Sequence, residues 1–345
     1  MSGRDTATAS TPMTGSVVQR PRLGFVGVGW IGRHRMQAIL DEGCADAVAI
    51  ADPAGQCAAQ AQAIAPDAEI VGSMEAVLDR GVDGVVIATP SALHAEQAVH
   101  ALKRGIAVFC QKPLGRTEAE VRAVIDAARS ANRLLGVDMS YRFTRAANAV
   151  REVVRSGELG EVFCADLTFH NAYGPDKPWF RDRALSGGGC VMDLGVHLID
   201  LALWTLDFPE IAKVRSSLFD RGRRLGPDPG AIETFASAEI ELAGGGLVRI
   251  TCSWDLHAGR DAVIAAEFHG CEGGAAFRNI NGSFYDFIAE RHRGTSRQVL
   301  ANPPDAWGGR AAADWAMRLA AGEGFDPAVE ELLVVAHAID RIYGG

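Results

Sequence analysis

The chain has 345 residues, of which 48% are hydrophobic and 22% are charged, and its formal net charge is −9. This length exceeds what one ordinary core accommodates and predicts two domains with a cleft between them. The acidic balance would repel phosphate backbones and anionic lipid, so we expect neither nucleic acid nor a membrane as a partner.

The cysteines and the first residues indicate the compartment. The seven cysteines are scattered and form no C-x-x-C pair, which favours reduced, buried thiols over a disulfide framework or a zinc site. Residues 1–20 are polar, lack the apolar run of a signal peptide and predict a disordered tail. The sequence contains no run of about 18 apolar residues, so we expect no membrane-spanning helix. We therefore expect a cytoplasmic protein.

Residues 21–140 are predicted to form the first domain. Short apolar runs such as "LGFVGVG", "AVAIAD", "GVVIAT" and "AVFCQKP" alternate with stretches of helical periodicity. One of these helical stretches starts with a T-x-x-E capping box at Thr117. Continuous apolar strands separated by helices predict a doubly wound parallel sheet that is covered on both faces, which is a Rossmann fold.

A glycine motif at the first strand–helix junction indicates a dinucleotide site. Gly27, Gly29 and Gly32 are in G-x-G-x-x-G register, with Trp30 and Ile31 between the last two. They allow a tight turn, close approach of a pyrophosphate and close helix–strand packing.

The expected partner of this motif is Asp52, which ends the second predicted strand and would accept both ribose hydroxyls. No arginine occurs in residues 53–57 to receive a 2′-phosphate, so the sequence favours NAD. Arg33 and Arg35 leave NADP open as a second possibility.

Residues 141–345 predict a second, α+β domain for substrate binding and oligomerisation. Segments such as "GGLVRITCSW" alternate polar and apolar residues and predict a large, open, mostly antiparallel sheet. We expect the second face of this sheet to be apolar enough to need a cover, and thus a homodimer or homotetramer. Residues 327–343 are predicted to be a terminal helix. The predicted fold class is therefore α/β with an added α+β domain.

The stretch "GGGCVMDLGVHLIDLALW" (187–204) predicts a buried helix with three polar exceptions, Asp193, His197 and Asp200. Asp193 and His197 are four residues apart, so an α-helix would project both from one face. Asp200 is interpreted as structural.

Three ordered motifs, "ATPSALH" (88–94), "CQKPLG" (110–115) and "SGGGCVMDLGVHLID" (186–200), make the chain resemble the Gfo/Idh/MocA oxidoreductase family. The resemblance runs from residue 21 to the end of the sequence. It implies that Lys112, Asp193 and His197 surround the reacting carbon of a sugar or polyol. It also implies a cofactor site that includes Ala88, Thr89, Pro90, His94, Gln111 and Lys112.

The resemblance implies a role for each of the three catalytic candidates. His197 would take the hydroxyl proton while hydride leaves the same carbon for the nicotinamide. Lys112 would stabilise the developing negative charge on the reacting oxygen. Asp193 would orient His197 or hold a neighbouring substrate hydroxyl. Gln111 and Ser91 depart from the family pattern, which has glutamate and often asparagine there. From these departures we expect altered cofactor affinity or selectivity.

Further residues are candidates to line a small polyhydroxylated substrate. They follow the Rossmann domain or precede the triple glycine, and they are Tyr141, Arg142, His170, Tyr173, Lys177 and Trp179.

The resulting hypothesis is an NAD-dependent dehydrogenase or ketoreductase acting on a secondary alcohol of a sugar, inositol or related polyol, without a metal. A second hypothesis is a catalytically silent, dinucleotide-binding regulatory protein of the same fold. A third treats Asp193, His197 and Asp200 as metal ligands of a lyase or hydrolase, although one short helix gives poor coordination geometry.

Overall fold

The structure is a computed structural model that describes residues 20–226 and 231–344. The predicted disordered tail therefore lies outside the described residues, except for Arg20.

The first sheet has six parallel strands in the order β3-β2-β1-β4-β5-β6, as predicted for a Rossmann fold. The strands are β1 (Arg22–Val26), β2 (Asp46–Ala51), β3 (Glu69–Ile70), β4 (Gly84–Ile87), β5 (Ala107–Cys110) and β6 (Leu135–Val137). The helices between them are α1 (Trp30–Asp41), α2 (Gly55–Gln62), α3 (Met74–Leu78), α4 (Ser91–Lys103) and α5 (Glu118–Ala131).

The predicted capping box starts α5, with one difference. The Thr117 hydroxyl accepts from the backbone N–H of Glu120 at 3.2 Å, as expected. The Glu120 carboxylate, however, accepts from the backbone N–H of Arg116 at 2.7 Å, one residue before the cap. The helix ends at Asn132 in the left-handed conformation, with φ 46°.

The second sheet has nine strands in the order β15-β14-β13-β12-β7-β11-β10-β8-β9. They are β7 (Val162–Asn171), β8 (Ile211–Asp220), β9 (Arg223–Arg224), β10 (Phe235–Leu242), β11 (Leu247–Ser253), β12 (Ala262–Gly270), β13 (Gly274–Asn279), β14 (Phe287–Arg293) and β15 (Ser296–Ala301). β7 and β11 run parallel, and the other neighbouring strands run antiparallel. The predicted mostly antiparallel sheet is confirmed.

Five further helices lie in the part of the chain that the structure describes. They are α6 (Arg145–Arg155), α7 (Arg183–Ser186), α8 (Val196–Thr205), α9 (Arg310–Ala320) and α10 (Leu332–Ile342). The predicted terminal helix at 327–343 is a 3₁₀ turn, Pro327–Glu331, followed by α10.

Helix α9 packs on the first sheet, although the sequence assigned its residues to the second domain. Trp315 lies against Phe109 with ring centroids 5.8 Å apart. A Cβ at Gly136 would lie 2.8 Å from the Trp315 ring, so a glycine is needed there. The C-terminal part of the chain therefore returns to cover a face of the Rossmann sheet.

The outward face of the second sheet carries charged and polar side chains among its residues, which corrects the expectation of a second apolar face. Leu167 and Phe169 of β7 face the helices and are buried, whereas Asp166 faces outward. Arg249, its cross-strand neighbour on β11, donates to Asp166 at 2.5 Å. Cross-strand ion pairs of this kind are stable next to solvent. The apolar residues of the alternating pattern therefore mark the inner face alone.

The helical stretch Arg183–Thr205 is long and apolar enough to cross a membrane by length and composition alone. Within its most apolar 18-residue window, 72% of the residues are buried, because this stretch forms the central helix of the second domain.

Candidate active site

A cleft of about 700 Å³ opens at the carboxyl end of the first sheet and extends to the start of the central helix. This volume lies within the roughly 300–1,000 Å³ of small-molecule and cofactor sites. Most of the predicted cofactor residues line it, namely Gly29, Trp30, Ile31, Gly32, Ala88, Thr89, Pro90, His94, Gln111 and Lys112.

The glycine loop has the geometry of a phosphate site. Gly27 has a φ of +80°, and a Cβ there would lie 2.6 Å from the backbone of Ala88. A Cβ at Gly32 would lie 2.1 Å from the Gly27 carbonyl oxygen, whereas Gly29 faces open space. Within α1, no side chain caps the N-terminus and no acid occupies the first turn. The first N–H groups of α1 are thus available to an anion.

Asp52 lies beside this loop and fixes it. Its carboxylate accepts from the backbone N–H of Val28 at 2.7 Å and from that of Ala54 at 2.8 Å. Each carboxylate oxygen keeps a lone pair that can accept a ribose hydroxyl. Cys57, in the first turn of α2, lines the cleft. The residues present therefore fit the adenosine half of NAD.

Lys112 and Asp193 meet at the other end of the cleft. The Lys112 ammonium donates to Asp193 Oδ1 and to the Asp193 carbonyl oxygen, each at 2.8 Å. Asp193 Oδ2 accepts from the indole N–H of Trp254 at 3.0 Å. The Asp193 carboxylate thus bonds to Lys112 and Trp254 and does not orient His197. Of the two roles predicted for Asp193, holding a substrate hydroxyl is the one that remains.

The central helix begins with a π-helical turn, Val191–Gly195, and becomes α-helical from Val196. The predicted single α-helix is wrong in this first turn, and the i, i+4 relation of Asp193 and His197 is not α-helical. His197 instead packs edge-on against Tyr141, with ring centroids 5.0 Å apart. π-Turns inside helices are frequent at functional sites.

The surroundings of His197 keep its ring neutral. Burial lowers the pKa of His197 well below its usual value. The positive charges of Lys112 and Arg35 lower the pKa of His197 further. A neutral imidazole at physiological pH is the form that accepts a proton.

The triple glycine before this helix makes room for a buried clamp. The Glu233 carboxylate accepts from the backbone N–H of Gly189 at 2.9 Å, from that of Val191 at 3.0 Å, and from the Tyr343 hydroxyl at 2.7 Å. A Cβ at Gly188 would lie 2.0 Å from that hydroxyl oxygen. Burial raises the pKa of Glu233, and these hydrogen bonds oppose the rise. The Glu233 carboxylate thus accepts hydrogen bonds from the first N–H groups of the central helix.

Gln111 lies against a buried carboxylate. Its amide donates to Asp138 Oδ2 at 2.5 Å, and the Arg35 guanidinium donates to the same oxygen at 2.6 Å. Asp138 is 1% exposed, and its Oδ1 lacks a partner among the described residues. A glutamate at position 111 would place two carboxylates in contact. The amide is therefore the form of this side chain that fits Asp138.

We expect Gln111→Glu to destabilise the protein by about 2–4 kcal/mol at pH 7, because one of two touching carboxyls must then hold a proton. Melting temperature measures this change. The deficit should shrink at pH 5, where that proton is easier to bind. The double variant Gln111→Glu, Asp138→Asn should recover most of the loss. A single variant as stable as the unaltered protein at pH 7 would contradict this reading of the pair.

The predicted substrate residues fall into three groups, of which only the first lines the cleft. Lys177 and Trp179 line the cleft, and Trp179 stacks on Phe180 with ring centroids 3.8 Å apart. Tyr141 is buried against His197, and Tyr173 lies exposed in the segment after β7.

Two candidates point away from the cleft. Arg142 makes a two-pronged ion pair with Asp200 at 2.6 and 2.9 Å and contacts Glu331, so it joins the central helix to the C-terminal segment. His170 bonds to Ser253 on the outward face of the second sheet, because it follows the inward Phe169 by one residue. Neither is placed to touch a substrate in the cleft. The expectation that Asp200 is structural agrees with its ion pair to Arg142.

Several site residues escaped the sequence analysis. Trp254 had a usable signal, because it belongs to the inward-facing set of β11. No local sequence signal marks Asp138, Glu233 or Tyr343. Asp138 lies 27 positions from Gln111, and Glu233 lies 44 positions from Gly189 and 110 from Tyr343.

The three acids and bases of the central helix do not converge on a metal. Asp193 bonds to Lys112, Asp200 bonds to Arg142, and His197 lies between aromatic rings. Within residues 20–226 and 231–344, no group of three His, Cys, Asp or Glu side chains is close enough together to hold an ion.

Comparison with known proteins gives two family matches. The sequence model described as "Oxidoreductase family, NAD-binding Rossmann fold" matches residues 21–139, and that of the "GFO/IDH/MocA C-terminal domain" matches residues 147–276.

Individual proteins are similar over different lengths. The chain is 29% identical to D-glucoside 3-dehydrogenase of Escherichia coli (strain K12) over 56% of its own length and 58% of that protein, so it spans less than two thirds of that relative. It is 29% identical to rhizopine catabolism protein MocA of Rhizobium meliloti, over 82% of this chain and 90% of that protein. The crystal structure of GenD2 from gentamicin A biosynthesis, in complex with NAD, has the same fold, with a TM-score of 0.79, 23% identity and coverage of 97% and 96%.

Proposed function

Because the chain belongs to the Gfo/Idh/MocA oxidoreductase family and has its NAD-binding Rossmann fold, we propose that it transfers hydride between NAD and a secondary alcohol or ketone of a sugar, inositol or related polyol. The observation that carries this proposal is the Lys112–Asp193 pair in the lining of the dinucleotide cleft, with the neutral imidazole of His197 behind it, close enough for the Lys112 charge to lower its pKa.

His197 acts as the general base in this proposal. When bound, NAD supplies the hydride acceptor at C4 of its nicotinamide ring. A ring nitrogen of His197 takes the hydroxyl proton of the alcohol as the carbon–oxygen bond becomes a carbonyl. The depressed pKa keeps this nitrogen unprotonated and ready to accept. In the reverse direction, the same nitrogen returns the proton to the alkoxide oxygen.

Lys112 and Asp193 bind and orient the reacting group. The ammonium stabilises negative charge on the oxygen that loses its proton. Its fixed hydrogen bonds to Asp193 hold it in place before substrate arrives, so little reorganisation is needed. Trp254 holds the other carboxylate oxygen, which keeps Asp193 turned toward the cleft and able to accept from a second substrate hydroxyl.

A substrate screen tests the proposed function. Purified protein is incubated with sugars, their glycosides, inositols and sugar acids, each with NAD and with NADP, and the absorbance of the reduced nicotinamide is followed. Turnover of at least one polyhydroxylated compound is expected. Tight NAD binding without turnover of any compound would overturn the proposal and favour a silent regulatory protein.

We expect NAD to bind at least about 10-fold more tightly than NADP, because the Asp52 carboxylate would repel a 2′-phosphate. Asp52→Asn removes the charge while keeping an oxygen for the glycine loop, and should narrow this gap. Dissociation constants for both cofactors, from quenching of tryptophan fluorescence, give the comparison. Equal constants in the unaltered protein would refute the preference.

We also propose a homodimer or homotetramer joined through the outward face of the second sheet. Support comes from its cross-strand charges, since Glu239 lies between Arg215 and Arg249 and such rows can pair across a two-fold axis. Light scattering should give two or four chain masses, and high salt should lower the mass. Glu239→Lys places three positive charges side by side on β8, β10 and β11 and should dissociate the assembly. A monomer at every concentration would contradict the proposal.

A further inference from the structure

Glu233 holds the start of the central helix through three consecutive backbone N–H groups. Its carboxylate accepts from Gly189 at 2.9 Å and from Val191 at 3.0 Å. Its own backbone carbonyl accepts from Cys190, which lies between them, at 3.1 Å. One residue thus provides the acceptors for N–H groups that a helix end otherwise leaves without partners.

The Glu233 carboxylate depends on Tyr343 as well as on the helix. Glu233 is 3% exposed, and no lysine, arginine or histidine among the described residues forms an ion pair with it. A buried charge without a counter-ion is costly unless hydrogen bonds satisfy it. The Tyr343 hydroxyl donates to the carboxylate at 2.7 Å. The carboxylate is therefore satisfied only when the helix start and Tyr343 are both in place.

Tyr343, at the end of α10, is itself fixed by two neighbouring elements. The Ser216 hydroxyl of β8 donates to the carbonyl of Ile342 at 2.6 Å. The Arg183 guanidinium of α7 lies over the Tyr343 ring, 5.2 Å from its centroid. The C-terminal end of α10 is thus docked beside the start of the central helix.

The residue after Glu233 holds Asp193 from a second direction. The carbonyl of Thr234 accepts from the backbone N–H of Trp254 at 2.8 Å, and the N–H of Thr234 donates to Phe219 of β8 at 2.8 Å. The Trp254 indole in turn donates to Asp193 Oδ2 at 3.0 Å. Two adjacent residues therefore support both the backbone before Asp193 and its carboxylate.

The backbone that Glu233 holds forms part of the cleft wall. Gly188, Gly189 and Asp193 line the cleft. The N–H of Asp193 donates to the Gly189 carbonyl at 3.1 Å, so a shift of Gly189 would move Asp193. The Lys112 ammonium bonds to the carbonyl and to the carboxylate of Asp193, each at 2.8 Å, and such a shift would break this double contact.

We propose that Glu233, held by the Tyr343 hydroxyl, is a positioning residue that sets Asp193 against Lys112 for the reaction. Glu233 and Tyr343 do not line the cleft, so they act through the π-helical turn Val191–Gly195. Displacing reacting groups by about 1 Å can cost about 10²-fold in rate. This inference rests on the proposed function and adds the end of α10 to the support of its active site.

The first part of the test needs no substrate. Hydrogen–deuterium exchange is followed by mass spectrometry in peptides that cover residues 187–195. Glu233→Ala should speed exchange of the Gly189 and Val191 amides at least about 10-fold, because they lose their acceptor. Glu233→Gln keeps an oxygen that can accept from both amides and should retain most of the protection. Unchanged exchange in Glu233→Ala would refute the clamp.

The second part measures kcat per folded molecule with the compound that the screen selects. Glu233→Ala should lower kcat about 10²-fold, and Glu233→Gln should restore it to within about 3-fold of the unaltered protein. Tyr343→Phe removes a single hydroxyl and should lower kcat by about 3- to 10-fold, even if Glu233→Ala fails to fold. Ser216→Ala, which loses the bond to Ile342 but leaves the carboxylate untouched, is the matched control and should keep full kcat.

The remaining outcomes separate this inference from the proposed function. Variants that melt earlier yet keep full kcat per folded molecule would show that the clamp only stabilises the fold. Equal losses in Glu233→Gln and Glu233→Ala, or in Ser216→Ala and Tyr343→Phe, would also overturn the positioning role. In each of these cases the oxidoreductase proposal stands. A screen in which nothing is turned over overturns the proposed function and the positioning role with it.

Discussion

His197→Ala should lower kcat by about 10²–10⁴-fold while the dissociation constant for NAD barely changes. The imidazole lies among Tyr141 and Phe169 at the catalytic end, whereas the glycine loop binds the phosphates. Removing a proton acceptor therefore affects the chemical step and not the anchoring of the cofactor. Single-turnover kinetics and NAD titration on the same samples measure the two effects.

The pH profile gives an independent check on His197. Because burial and two nearby cations lower the pKa of His197, the neutral ring persists below the usual range for histidine. The rate of oxidation should accordingly stay high on lowering the pH through 6.5 and fall only under more acidic conditions.

If His197→Ala instead lowers the melting temperature but keeps most of its turnover per folded molecule, His197 is a packing residue and not the general base.

Lys112→Ala should lower kcat by at least as much as the histidine variant, and it should also raise the dissociation constant for NAD. The ammonium makes two 2.8 Å bonds to Asp193, so its loss leaves a largely enclosed carboxylate without a counter-charge. It also removes the group that stabilises charge on the reacting oxygen.

Lys112→Arg tests whether charge alone suffices. A planar guanidinium cannot place one compact donor between the two Asp193 oxygens, so we expect little recovery of kcat. Lys103→Ala, at an exposed position on α4, is the matched control and should behave like the unaltered protein. Turnover of Lys112→Ala within about 10-fold of the unaltered protein would show that the ion pair is structural.

The first domain could be predicted from sequence because its signals are local. The register of Gly27, Gly29 and Gly32, the apolar runs and the capping box at Thr117 each depend on neighbours a few residues away. The same holds for the apolar residues of the β11 segment, Trp254 among them, because their alternation with polar residues places them on one face. Lys112 and Asp193 were found through family motifs, and the structure shows them in contact.

The features that escaped prediction depend on contacts between distant residues. Arg142 was expected in the cleft, but its partner Asp200 lies 58 positions away on the inner side of the central helix. The π-turn at Val191 breaks a spacing that looked α-helical in the sequence. The outward charges of the second sheet could not be matched into pairs before the strand order was known. In each case the local pattern was compatible with two arrangements and only tertiary packing selected one.

The return of α9 to the first sheet has a consequence for the order of folding. Trp315 fills a space made by Gly136 on one strand and Gly84 on another, so that face of the Rossmann sheet stays uncovered until about residue 320 has been synthesised. A fragment ending near residue 140 would present this apolar surface to solvent and should aggregate, although it contains every strand of its sheet. The nascent chain has the same exposed surface, which makes it a client for chaperones that bind apolar segments. Dinucleotide binding should thus be acquired late in synthesis.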